Sequence, residues 1–124
     1  PETTRFLSNN YYLPFCRRFG CSYASGVIHT IINCATPIDD SHIALTQWLY
    51  RNDTEDQAPA AVLNAFDRKV TDEDRDILEA TDSDVCIDVS RKVEMHMPSD
   101  RPGLIVRKLL LNLLEKHGEE EVHL

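Results

Sequence analysis

Val27-Ile28-His29-Thr30-Ile31-Ile32-Asn33, then Pro37-Ile38-Asp39-Asp40, then Ser41-His42-Ile43-Ala44-Leu45-Thr46-Gln47-Trp48-Leu49-Tyr50-Arg51 is the stretch that decides the fold. The first run is dense in β-branched residues, which suit a pleated and half-buried surface. Pro37 and the two aspartates supply turn chemistry. In the second run Ile43, Leu45, Gln47 and Leu49 fall on one face and His42, Ala44, Thr46, Trp48 and Tyr50 on the other, since successive strand side chains point to opposite sides. Together the two runs predict an antiparallel hairpin. Both its faces carry apolar groups, so one should pack a helix and the other a second layer or a ligand.

Upstream, Tyr11–Phe19 and Ser22–Thr36 are rich in aromatic and β-branched residues and read as strands, so strand material fills about 4–51. Downstream, Asn52-Asp53-Thr54-Glu55-Asp56 is a polar connection. Helical spacing takes over across 58–80, where Val62, Phe66, Val70 and Ile77 form one stripe, with a break expected near Thr71. Within Thr81–Val93 a short strand is expected around Val85–Val89. Ser99-Asp100 with Pro102 opens a helix over about 100–117 that Gly118 closes. That helix carries Leu104, Ile105, Val106, Leu109, Leu110, Leu111, Leu113 and Leu114, too much apolar surface to leave in water, so it should lie against the sheet. The expectation is one α+β domain over 1–124, an antiparallel sheet packed on a long C-terminal helix.

A length of 124 residues excludes a self-contained multidomain enzyme. The net charge of −8 is lopsided: residues 1–51 carry 4 basic and 3 acidic side chains, residues 52–124 carry 9 and 18. Such a surface repels phosphate, which argues against nucleic acid or an anionic membrane and allows a basic protein partner. No apolar run approaches the length that spans a bilayer, and no N-terminal signal is present, so a cytoplasmic location is expected. Cys16, Cys21, Cys34 and Cys86 are irregularly spaced in a chain able to build a core, and are expected as reduced thiols. Because Pro1 leads directly into strand material, the chain is expected to be part of a longer protein.

One residue breaks the helical stripe. Asp74 stands four after Val70 and three before Ile77, where an apolar side chain belongs, so its carboxylate is expected to face the core and to be paired, protonated or metal-bound. Thr71-Asp72-Glu73-Asp74 also fits a capping box at the start of a new helical segment, and periodicity alone leaves both readings open. His29, His42, His96, His117 and His123 include no pair spaced to put two ligands on one helix turn. His29 and His42 read as sheet histidines, Cys34 as isolated on its strand, and Glu119-Glu120-Glu121 as a short acidic tail. Cys-x-x-Cys, Cys-x-His, phosphate-binding glycine loops and a nucleophile elbow are all missing.

Several strings in order resemble the C-terminal catalytic domain of Rieske-type non-haem iron oxygenases, the class of ring hydroxylases and O-demethylase-like monooxygenases. They are Thr36-Pro37-Ile38-Asp39-Asp40-Ser41-His42, Trp48-Leu49-Tyr50-Arg51-Asn52, Glu73-Asp74-Arg75 with Ile77-Leu78-Glu79-Ala80, and Ser99-Asp100-Arg101-Pro102 with Arg107-Lys108-Leu109-Leu110. The resemblance covers about 10–117. It implies a helix-grip fold and a mononuclear Fe(II) held by two histidines and one carboxylate, with Asp74 as that carboxylate. It also implies a Rieske [2Fe-2S] cluster fed from NAD(P)H by a reductase or ferredoxin, oxidation of an aromatic or other hydrophobic ring substrate by O2, and a homotrimeric parent. It places Asn33, Ala65 and Phe66 at the substrate pocket.

The cluster-binding motif and the two iron histidines precede this region in such enzymes. The isolated chain is therefore expected to bind neither iron nor cluster and to be inactive. Two other classes share the pattern: a non-catalytic helix-grip module that cups a hydrophobic ligand, and an assembly domain that pairs sheet edges.

Overall fold

Four strands, β1 (Arg5–Tyr12), β2 (Cys16–Tyr23), β3 (Ile28–Pro37) and β4 (Ile43–Arg51), pair in chain order as an antiparallel meander. This computed structural model describes residues 4–81 and 85–122. The chain divides into two units, Pro1–Val70 and Thr71–Leu124; each is taken by itself below.

The turns explain where the strands stop. Tyr11–Phe19 is two strand ends and a turn rather than one strand: Pro14 has no N–H to give a ladder, and Leu13-Pro14-Phe15 reverses the chain through a cis Leu13–Pro14 bond. Ser22–Thr36 is likewise divided. Gly26 takes φ 89°, a left-handed conformation open to glycine, and its N–H donates to the Tyr23 carbonyl at 2.9 Å while the Tyr23 N–H donates to Val27 O at 2.9 Å. Between β3 and β4, Ile38 N donates to His42 O at 2.9 Å, and Asp39 Oδ1 accepts from Ser41 N at 2.9 Å and lies 2.8 Å from His42 Nδ1. The Ser41 amide, then the His42 ring, hold the Asp39 carboxyl below the usual range. This is the turn expected at Pro37–Asp40, and the β3–β4 hairpin forms with the two faces anticipated for β4. Asn52 then ties the end of β4 to the start of β3, its Oδ1 accepting from Ile28 N at 2.7 Å and its Nδ2 donating to Gly26 O at 3.1 Å.

Helix α1 (Ala60–Glu79) starts where Glu55 Oε1 accepts the Ala60 N–H at 2.8 Å, which satisfies one of the amides orphaned at a helix N-terminus. It runs unbroken through Thr71. The break expected there does not occur, and with it goes the capping-box reading, since a residue in mid-helix has no free N-terminal amides to cap.

In the second unit no strand forms at Val85–Val89. The Ile87 and Asp88 amides, which a ladder would need, both donate to the Glu121 carboxylate, the latter at 3.1 Å. Asp88 then caps a single 3-10 turn, Val89–Arg91, through the Ser90 amide at 2.9 Å. Glu121, one of the acidic tail residues, is thus a structural pin.

Helix α2 (Arg101–His117) opens as expected, with Asp100 Oδ2 accepting from Met97 N at 2.7 Å and Pro102 in the first turn. It closes at Gly118, φ 70°, where the Gly118 and Glu119 amides return to the Glu115 and Leu114 carbonyls at 3.1 and 3.0 Å. Arg107 on this helix donates to both oxygens of Glu94 and, at 3.2 Å, to Cys86 O.

The class is α+β, a four-stranded antiparallel sheet with a long C-terminal helix. Among the described residues Cys21 and Cys86 are the buried hydrophobic side chains, one in each unit, and no helix is long and apolar enough to cross a membrane.

Candidate functional site

Cross-strand partners share a sheet face, so the register lays out three rows on one side. The first is Arg17, Asn33 and Gln47; the second Phe19, Ile31 and Leu49; the third Cys21, His29 and Arg51. Adjacent rows are about 7 Å apart, the rise of two strand residues.

The first row is polar. Asn33 Nδ2 donates to Gln47 Oε1 at 2.7 Å in a half-buried setting, an amide pair that keeps further donor and acceptor positions. Arg17 stands directly across from Asn33. Its Nε donates to Asn9 Oδ1 at 2.8 Å, and its guanidinium carbon lies 5.0 Å from the Phe19 ring centroid, a cation–π distance. Both contacts hold the guanidinium over the sheet face. The second row is wholly apolar.

The third row ends in an ion cluster. His29 Nε2 and Asp53 Oδ2 are 3.3 Å apart, and Arg51 NH1 lies 3.2 Å from Asp53 Oδ1, an oxygen that is buried without a hydrogen-bonding alignment. Arg51 also donates to the Ala58 carbonyl and, through NH2 at 2.8 Å, to Glu55 Oε2. The Tyr23 ring meets His29 edge-on at 5.5 Å. His29 is the partnered sheet histidine expected, whereas His42 sits exposed at the β3–β4 turn.

On one side of the sheet the chain therefore presents an apolar strip wide enough for one aromatic ring, flanked by an amide pair with a cation and by an acid–base cluster. The family resemblance singled out Asn33, but neither it nor the residue pattern marked Arg17 and Gln47 as its neighbours. Both are ordinary polar residues in strand-like runs, and the strand register is what joins them.

Asp74 lies on α1 in the second unit and is exposed. The carboxylate does not face a core, because the stripe it interrupts is itself open: Val62 is 62% exposed, Phe66 63% and Ile77 65%. The desolvation cost that made it conspicuous does not arise. Arg75 pairs with Asp72 at 3.2 Å, Asp76 at 3.5 Å and Glu79 at 3.9 Å, leaving Asp74 outside that set. At 100° per residue Phe66 stands within about 80° of Asp74 around the helix, and Ala65 about 180° away, on the opposite flank. Cys34 is not isolated, for it faces Cys16 across the β2–β3 ladder.

The model of the vanillate O-demethylase oxygenase C-terminal domain matches residues 7–116. The chain belongs to that family. No curated protein and no solved structure matches it. Membership makes the chain a Rieske-type oxygenase C-terminal domain, from a family of oxygenases that use iron and a [2Fe-2S] cluster, with a small-molecule substrate and a reductase or ferredoxin partner. Among the described residues no three His, Cys, Asp or Glu side chains come together to hold a metal. Asp74 therefore belongs to no such group among the described residues.

Proposed function

We propose that this chain forms part of the oxygenase component of a Rieske-type O-demethylase whose substrates are methoxylated aromatic acids of the vanillate kind. The match over residues 7–116 carries the reading, and the three rows of the sheet face support it. Phe19, Ile31 and Leu49 offer a flat apolar bed for the ring. Asn33 and Gln47 offer amide donors and acceptors for ring oxygens, and Arg17 offers a planar cation for the carboxylate. Phe66 supplies a further apolar wall from α1.

Asp74 contributes the carboxylate ligand of the mononuclear iron, with the two histidines supplied by sequence ahead of the sheet. An aspartate on a helix face, outside its neighbours' ion pairs, is free to serve that role. The bound iron would activate O2, with electrons from NAD(P)H arriving through the [2Fe-2S] cluster.

The test is vanillate-dependent formaldehyde release by the oxygenase polypeptide carrying this domain, supplied with O2, NAD(P)H and its reductase, with iron content measured in parallel. Asp74→Asn should lose both iron and turnover. Arg17→Met should weaken vanillate binding by about tenfold or more, the equivalent of one charge-assisted hydrogen bond of about 1.5 kcal/mol, and should leave binding of the decarboxylated analogue unchanged. Full iron content and turnover in Asp74→Asn would refute the ligand role. Equal losses for both compounds in Arg17→Met would refute the carboxylate role.

A further inference from the structure

Cys16 and Cys34 occupy directly opposed positions in β2 and β3, on the sheet face opposite the Arg17–Asn33–Gln47 row. Their sulfurs are 3.2 Å apart and both thiols are free. The ladder specifies which kind of pair they form. The Ala35 N–H donates to the Phe15 carbonyl at 3.0 Å, so the hydrogen bond runs between the residues flanking the two cysteines. This makes Cys16 and Cys34 a non-hydrogen-bonded pair. At such sites the Cα atoms approach to about 4.5 Å and the side chains stand closest, which lies inside the span a disulfide can bridge without backbone movement. Cys16 is exposed and Cys34 half-buried, whereas Cys21 and Cys86 are buried. One pair of the four thiols is therefore both adjacent and reachable from solvent.

We propose that Cys16 and Cys34 form an oxidative modification site, a dithiol that a peroxide converts to a cross-strand disulfide. The Cys16 thiolate, the more accessible sulfur, attacks one oxygen of hydrogen peroxide. The O–O bond breaks, hydroxide leaves and takes up the proton that Cys16 had released to become water, and Cys16 becomes a sulfenic acid. The Cys34 sulfur then attacks the Cys16 sulfur, the S–O bond breaks, and a second water departs with the Cys34 proton. In sum, two thiols and one H2O2 give one disulfide and two waters, with two electrons passing from sulfur to oxygen. The hydrogen bond shared with Cys16 raises the Cys34 thiol above the ordinary cysteine pKa, and Cys34, the less exposed sulfur, acts second as the resolving partner. An exposed disulfide of this kind belongs to the labile class and should be reduced by ordinary dithiols.

The site is independent of the iron and substrate assignments. Its consequence for the fold is local: the bond would fix the β2–β3 register one residue from the Arg17–Asn33 pairing.

The experiment is titration of the chain with hydrogen peroxide, followed by thiol counting and peptide mass spectrometry. Loss of two of the four thiols is expected, with the Cys16 and Cys34 peptides joined, the mass of two hydrogens lost, and full recovery on treatment with dithiothreitol. Cys34→Ser should stop at the first step and leave a sulfenic acid on Cys16 that a dimedone probe traps. Cys21→Ser and Cys86→Ser should form the bond as the unaltered chain does. Cross-links between separate chains, over-oxidation of Cys16 in the unaltered chain, or all four thiols reacting at one rate would overturn the proposal.

Discussion

Replacing Arg51 by Met tests whether the ion cluster beside β4 holds the first unit together. The Arg51 side chain is 15% exposed and that of Asp53 only 7%, so removal of the guanidinium leaves a carboxylate with little access to water. Breaking a buried pair in this way costs about 3–5 kcal/mol. His29 Nε2, 3.3 Å from the other oxygen, can still share the charge, and Arg51 is not wholly withdrawn from solvent, so about 2–3 kcal/mol is expected. Part of that loss comes from the Ala58 carbonyl and Glu55, which Arg51 also holds at the entry to α1.

Asp53→Asn removes the charge but keeps the shape and should cost about 1 kcal/mol. With the charge gone, the Arg51→Met change has less to orphan. The double variant should therefore be more stable than the sum of the single effects by about 1–2 kcal/mol. Urea unfolding at neutral pH, followed by circular dichroism, measures all three. An Arg51→Met variant within about 0.5 kcal/mol of the parent, or a strictly additive double variant, would refute the argument that Asp53 is a buried charge dependent on this partner.

Three further outcomes follow from other contacts. The Arg107 guanidinium holds the Glu94 carboxyl below its usual pKa; a group depressed on folding contributes stability above its unfolded value, and this is lost as the pH falls below about 4.3 and through the folded pKa. Arg107→Met should flatten that part of the pH–stability curve, and an unchanged slope counts against the pair. Gly118→Ala should cost about 1 kcal/mol in thermal or urea unfolding, because φ 70° is strained for any side chain although the space around it is open; no loss would mean that the cap does not hold α2. Glu121→Ala should speed hydrogen exchange at the Ile87 and Asp88 amides and leave the α2 amides protected, whereas unchanged exchange would deny Glu121 its pinning role.

What could be read from the sequence was whatever depends on local pattern. The β3–β4 hairpin, its turn at Pro37–Asp40, the α1 stripe and the caps of α2 all follow from alternation, helical spacing or residue chemistry within a few positions. Readings that failed did so where a distant or competing group decides. Val85–Val89 has strand composition, but a glutamate more than thirty residues away takes its amides. Thr71 has capping chemistry, but helix propagation through it removes the amides to be capped. Asp74 looked conspicuous because its stripe was assumed to be covered.

The candidate site was half legible for the same reason. Asn33 was marked through the family resemblance, but its partners Arg17 and Gln47 lie on the two neighbouring strands, and only pairing register selects them. Cys16 and Cys34 look unrelated at eighteen residues' separation until one turn and one ladder set them face to face.

The meander itself bears on how this unit acquires its structure. Each strand pairs with its neighbour in the sequence, across connections spanning 13–15, 24–27 and 38–42, so no pairing waits on the closure of a long loop. Sheets whose contacts are this local fold faster than those that join distant segments, because little chain entropy is lost before each contact forms. During synthesis each hairpin can zip as soon as its second strand leaves the ribosome. The rows of this sheet face would then be assembled in order, from the β1 side toward β4, before either helix has emerged.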